Sequence, residues 1–250
     1  MKLKRWQVEY AGILMGLALV LYTARWLLFS TPPLHSEMWR FLLGDIAFLF
    51  LQVLLVTLVI DGMMRRREHD EMMTKLNMVI GAFFSEAGAK LLGLIATADV
   101  RIAEVRDDLT PNARWTSKDY ERSRQVFRQH QPSIELTHCD LERLRATLEA
   151  ERGFLIGLLG NQNLLEHEEF TDLLWALSHL GEELSARSDL ANLPKADAAH
   201  VAGDIKRAYQ LLGGEWISYL RHLQGQYPYL FSLAVRTNPL DPSAKVTVVE

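Results

Sequence analysis

Cysteine is almost absent. Cys139 is the only one in 250 residues, so no internal disulfide can form and a framework of the secreted type is excluded. Nucleophile elbows, phosphate-binding glycine loops, HExxH and CxxC are missing as well, which removes the common signatures of hydrolases, nucleotide-binding enzymes and zinc sites. Cys139 stands beside His138, but consecutive side chains on a helix diverge and do not make a catalytic pair. Proline is absent from Leu34 to Leu109, so nothing in that stretch forces a helix to stop. Strand-type alternation is absent until Val246 to Val249. A basic excess is absent too: 27 Lys+Arg stand against 31 Asp+Glu. Residues 71–250 are the more acidic part, which argues against a nucleic-acid surface.

What is present is unevenly spread. Nearly all the unbroken hydrophobicity lies in the first 60 residues. Tyr10 to Ala24 contains no charge, and Trp26 to Phe29 extend the run past Arg25. Phe41 to Ile60 is a second run, with Asp45 its only charge. Each approaches the roughly 20 residues that a membrane-crossing helix needs. The pattern therefore predicts a transmembrane hairpin over 1–64, with spans at about 8–29 and 41–60 joined by a short loop containing Pro32-Pro33. A cleaved signal peptide is the rival reading of the first run, since Lys2, Lys4 and Arg5 make a basic start. The cleavage pattern would put Tyr22 where a small side chain is preferred, and the second run would anchor the chain in either case.

Orientation follows from the basic residues outside the runs. Lys2, Lys4 and Arg5 precede the first and Arg65-Arg66-Arg67 follow the second, whereas the loop offers only Arg40, balanced by Glu37. The positive-inside rule then places both termini in the cytoplasm. Trp6, Trp26 and Trp39 stand where interfacial aromatics belong. Arg25 and Asp45 would each lie about one helical turn inside the outer boundary, at similar depth, where a pair lowers the cost of charge in hydrocarbon. Gly12 and Gly16 form a G-x-x-x-G that permits close helix packing, and Gln52 could hydrogen-bond to a neighbouring copy.

Beyond the basic triplet, Met72, Leu76, Val79, Phe83, Ala87, Leu91 and Leu94 keep the spacing of one buried helical face, and Asp61-Gly62 is the expected bend before it. Thr116 to Asp119 reads as a capping box for a helix to about His130. Further helices are expected over Ile134 to Leu159, with Leu141, Leu148 and Leu155 seven apart, and over Leu164 to Arg187, capped by Asn163 with Glu166. Pro194 opens another that reaches about Leu223, and Pro228 a last one of about two turns, ended by Thr237-Asn238-Pro239. On that short element Phe231 could close the core, or Phe231, Arg236, Thr237 and Asn238 could bind a partner. The remaining chemical candidates are Glu135 with His138 and Asp197 with His200, weak copies of the Glu-x-x-His pattern of metal-binding bundles; solvated helix surfaces explain both equally well.

The sequence thus predicts an all-α protein: a two-helix transmembrane hairpin over 1–64 and a cytoplasmic helical bundle over 65–250 that ends in a short docking element. It is read as a two-pass protein of the inner (plasma) membrane whose cytoplasmic domain works by contact, as an anchor, adaptor or regulatory module. The expected partners are the lipid bilayer, a second copy through the spans, giving a homo-oligomer, and a cytoplasmic protein; no cofactor and no catalytic residue is indicated. A subunit of an oligomeric channel or transporter is the alternative. A helical-bundle enzyme with a carboxylate and histidine metal site is the third reading.

Overall fold

The computed structural model describes residues 5–28, 36–161, 164 and 167–247. Lys2 and Lys4, the loop around Pro32-Pro33, and the Asn163 and Glu166 pair lie outside them, as do the side chains of Trp6, Trp39 and Arg65. The protein is all-helical: α1 Arg5–Leu28, α2 Ser36–Phe83, α3 Ala89–Ala96, α4 Ser117–Gln129, α5 Leu141–Leu159, α6 Glu168–Ser185, α7 Lys195–Gln226 and α8 Pro228–Arg236. The chain divides into two compact units, Met1–Glu71 and Met72–Glu250. Helix α2 contributes residues to both, and the helix continues through Asp61 and Gly62, where the sequence suggested a bend.

In the N-terminal unit, Ala18, Ala47 and Leu54 are buried while most of the larger apolar side chains are not. Gly44 is the one position here where a missing side chain matters, because a Cβ would run into the guanidinium of Arg25. Two small residues three apart on α2, Gly44 and Ala47, therefore share one buried face.

In the C-terminal unit the end of α2 passes through one turn of π-helix, Phe84–Gly88, before α3. The extra residue that such a turn inserts shifts the helical phase. Phe83 and Phe84 consequently both face inward, at 0% and 2% exposure, where an uninterrupted helix would splay them apart. Their rings meet Phe170 at 5.3 Å, Trp216 at 5.2 Å and Tyr219 at 5.1 Å between centroids. Around this aromatic centre α7 packs against α3, α4, α6 and α8, and α5 packs on α6 and α3. Gly213 on α7 is required for the α4 crossing, since a Cβ there would occupy the Phe127 ring.

Local chemistry sets the helix ends. Thr116 N–H donates to Asp119 Oδ2 at 2.7 Å and starts α4 where the sequence suggested. Two other starts differ from the sequence reading. Helix α5 begins at Leu141, not Ile134, because Asp140 accepts the Arg143 N–H at 2.9 Å as its cap. The preceding residues are held instead by a short antiparallel bridge between Asp99 and Ile134 and by Glu135 N–H donating to the Ala98 carbonyl at 2.9 Å. Helix α6 begins at Glu168, not Leu164, because His167 Nδ1 accepts the Phe170 N–H at 3.1 Å. Beneath the bridge, His130 Nε2 lies 2.6 Å from Asp99 Oδ2, while Asp99 Oδ1 accepts from Arg101 and Ser133 N–H groups at 3.0 and 3.1 Å. Both side chains are sealed from solvent, so the pair pins two loops together and does not face a substrate.

Candidate functional site

The residues singled out by sequence fall into four places. In the N-terminal unit the Arg25 guanidinium lies over Gly44, and among the described residues no ion pair joins Arg25 to Asp45. Gly12 and Gly16 have nothing within 4 Å of a built Cβ, so their face is open within the chain. Gln52 is exposed. One helix, Gly44–Ala96, is long and apolar enough to cross a membrane, and only 6% of its most apolar stretch is buried; Ala11–Leu27 is a shorter apolar helix. The described structure thus contains one candidate span where the sequence suggested two.

At the C-terminal end, α8 has Pro228 in its first turn and Phe231 as its one buried residue. Tyr229, Leu230 and Leu233 remain exposed. Asn238 is buried at 2% exposure and fully engaged: its Oδ1 accepts from Trp216 Nε1 at 3.0 Å and Leu240 N–H at 3.2 Å, and its Nδ2 donates to the Leu109 carbonyl at 3.1 Å. Arg236 Nε donates to the Ser232 carbonyl at 3.1 Å, and the Thr237 hydroxyl donates to the Leu233 carbonyl at 2.9 Å. These three polar side chains are engaged by the chain's own backbone and core.

The histidine and carboxylate candidates are regrouped. Glu135 and His138 are both exposed, 3.9 Å apart, on the 3₁₀ turn Leu136–His138 and its cap, and not on an α-helix. Asp197 is engaged by Arg187, whose Nε and Nη2 donate to its two oxygens at 2.9 and 2.6 Å; this contact holds the Asp197 carboxyl below its ordinary range. His200, however, does meet acids. Its Nε2 is 3.3 Å from Asp204 Oδ2 and 3.5 Å from Glu183 Oε2, and His179 Nε2 lies 3.6 Å from the same Asp204 oxygen.

A fourth place was not visible in the sequence. A cavity of about 370 Å³ is lined by Asn77, Tyr120, Arg124, His167 and Glu215 together with further polar and apolar side chains, Arg221, His222 and Ile80 among them. Both Glu215 oxygens, the Tyr120 hydroxyl and Arg124 Nε are buried without a hydrogen-bond partner. Burial pushes the Glu215 carboxyl up to about 7, reinforced by Glu169 and opposed by Arg124 and Arg128, and it pushes His167 down. Such a group can take up or release a proton near neutral pH.

Residues 72–236 match the family model described as "Uncharacterized protein MJ1433, C-terminal helical domain", and residues 2–64 match "MJ1433, N-terminal helical domain". The chain is 40% identical over 238 residues to "Uncharacterized protein MJ1433" of Methanocaldococcus jannaschii, covering 95% of this chain and 94% of that protein. The chain belongs to the MJ1433 family. No solved structure matches it. The family's two helical domains meet between residues 64 and 72, and the two structural units part at Glu71 and Met72. The Glu215 cavity and the His179, His200 and Asp204 cluster both lie within the family's C-terminal domain.

The spacing of three that pairs His200 with Asp197 in sequence is not the one the fold uses. The informative signal is a repeated spacing of four: His179 with Glu183 on α6, and His200 with Asp204 on α7. Side chains four apart stack on one helix face, so each helix offers a histidine and a carboxylate side by side. For Glu215 no sequence signal exists, because its isolation depends on Tyr120, Arg124 and His167 arriving from other elements.

Proposed function

We propose that this protein is a two-pass plasma-membrane protein whose C-terminal helical domain serves as a membrane-held anchor, adaptor or regulatory module for a cytoplasmic protein. The reading rests on the apolar surface of the N-terminal unit. Between Phe41 and Ile60, twelve large apolar side chains are exposed, Phe41 at 59% and Leu55 at 65% among them. Leaving such side chains in water forfeits roughly 1.5–3 kcal/mol each. Their sum exceeds the roughly 5–15 kcal/mol by which a folded domain is normally stable. A hydrocarbon environment removes that cost. The second pass is carried by the apolar stretch Ala11–Leu27, and cytoplasmic termini by the basic clusters at Lys2 to Arg5 and Arg65 to Arg67.

Cysteine accessibility in intact cells tests both parts. The native Cys139 is buried, and burial with the neighbouring Asp140 charge raises its thiol to about 11, so a Cys139→Ala background removes little. In that background Ser36→Cys should be modified from outside and Ser117→Cys, at an exposed position of α4, should not. Labelling of Ser117→Cys alone would reverse the orientation. Release of the protein by alkaline carbonate without detergent would remove the membrane reading altogether. A channel or transporter subunit is the second reading, favoured by the open face at Gly12 and Gly16; an assembly of defined size in detergent that Gly16→Leu abolishes would select it.

A further inference from the structure

We propose that His179, His200 and Asp204 form a binding site for a divalent transition-metal ion, zinc being the best match, with Glu183 closing it. The site sits between α6 and α7, and each helix supplies a histidine and a carboxylate four residues later. One ligand atom each from His179, Glu183 and His200 lies within 4.8 Å of the other two. Asp204 Oδ2 stands 3.6 Å from His179 Nε2 and 3.3 Å from His200 Nε2, while Glu183 Oε1 is 3.8 Å from His179 Nε2. Four ligands held about 2.0–2.1 Å from a zinc ion in a tetrahedron stand about 3.3–3.4 Å from one another. The two separations from Asp204 Oδ2 to the imidazole nitrogens are therefore already close to coordinating values, and the His179 and His200 ligand atoms, within 4.8 Å of each other, need only a small approach.

Asp204 is the independent sign that this is a site. Its residue is 5% exposed, yet Oδ2, the oxygen aimed at both imidazoles, has no hydrogen-bond donor, whereas Oδ1 accepts from Arg207 at 3.3 Å. A buried carboxylate oxygen left without a donor is costly, and a bound cation satisfies it. The carboxylates are braced around the core: Arg187 Nη1 donates to Glu183 Oε2 at 2.7 Å and its Nη2 to Asp197 Oδ1 at 2.6 Å. Such outer contacts orient metal-binding carboxylates. His179 and His200 are about half exposed and His179 also lines an open groove of about 740 Å³, so an ion can enter from solvent. Imidazole nitrogen with carboxylate oxygen in this number suits zinc better than calcium or magnesium, which favour oxygen alone.

The experiment uses the full chain in detergent, stripped with chelator and titrated with Zn²⁺ by calorimetry, with Co²⁺ as a visible reporter of coordination geometry. One equivalent of zinc should bind and raise the melting temperature, and cobalt should give the intense bands of a tetrahedral complex. His200→Ala and Asp204→Asn should each weaken zinc by more than the roughly 10- to 100-fold that loss of an outer-layer partner costs. His179→Ala, at a half-exposed position where folding is not at stake, should do the same. His138→Ala, on the surface elsewhere, should leave binding unchanged. If zinc fails to bind stoichiometrically, or if His179→Ala and His200→Ala bind it as well as the parent protein, the cluster is a polar network between two helices and the proposal is wrong.

Discussion

In the N-terminal unit Ile13, Leu19 and Leu55 are 63–66% exposed, whereas in the C-terminal unit Leu92, Leu173 and Leu177 are fully buried. The same side-chain type is used against two different surroundings. In the C-terminal unit apolar residues recur at helical spacing and turn towards a shared core, α3, α4, α6 and α8 against α7 and α5 against α6 and α3, so the helices have a wet face and a dry one. In the N-terminal unit the side chains outside the small buried face of Ala18, Gly44, Ala47 and Leu54 are themselves mostly apolar between Ala11 and Leu27 and between Phe41 and Ile60, which leaves little polar face to turn outward. A stripe that is buried has its partner inside the chain, whereas apolar side chains left exposed carry the cost that the membrane reading removes.

The sharpest test of that difference compares one truncation in each unit. Phe83→Ala, at the centre of the aromatic cluster, should cost about 3–5 kcal/mol and lower the melting temperature of the whole C-terminal unit. Leu55→Ala, on the exposed apolar surface, should cost below about 0.5 kcal/mol in detergent. Equal losses, measured by thermal unfolding in one micelle, would mean that Leu55 has a protein partner rather than lipid.

The next effect depends on pH. The folded Glu215 carboxyl is raised to about 7 from an ordinary 4.5, so between these values the folded state holds a proton that the unfolded state has released. This contribution favours folding below about pH 4.5, is lost as pH rises through 7, and is constant above that. Two and a half pH units correspond to roughly 3 kcal/mol. Glu215→Gln should therefore remove the decline and stabilise the protein by up to that amount at pH 9, with little change at pH 4. A decline that persists in the variant would assign it to another group.

Asn238→Ala follows at about 2 kcal/mol, since it leaves the Trp216 indole N–H and the Leu240 amide without their acceptor and the Leu109 carbonyl without its donor. Arg236→Ala, at a half-buried position bound to nearby backbone, should cost less. If Asn238→Ala left the melting temperature unchanged while abolishing capture of a partner, the C-terminal segment would be a binding site and not a closure of the core.

How much of this is legible in the sequence follows a physical boundary. The class, the α4 capping box, the Pro194 and Pro228 helix starts and the heptad of Leu141, Leu148 and Leu155 depend on neighbours within one or two turns, and all are readable. The inward turn of Phe84 is not, because a π-turn alters phase without leaving a composition mark. The α6 start is obscured because His167 is an unusual cap, and that of α5 because a bridge from residue 99 captures Ile134. The polar cavity and the His179, His200 and Asp204 cluster need contacts between helices, which no spacing within one helix encodes. The four-residue repeat is the part of the cluster that the sequence does display.

The smallest expected effect concerns Arg25 and Asp45, and it decides how charge is carried within the apolar unit. Their sequence depth suggested a pair, but the guanidinium rests on Gly44, and the Asp45 side chain leaves α2 about 100° further round. Among the described residues no ion pair joins the two, so the losses from Arg25→Ala and Asp45→Ala should add to within about 0.5 kcal/mol in a double-mutant cycle. Gly44→Ala should behave otherwise, because its new methyl group takes the space that the guanidinium fills. It should be damaging in the parent chain and milder once Arg25→Ala has removed the guanidinium, which is coupling through volume rather than charge. A cycle run in lipid nanodiscs that gives Arg25 and Asp45 more than about 1 kcal/mol of coupling, with Gly44→Ala indifferent to Arg25→Ala, would show that the bilayer draws the two charges together.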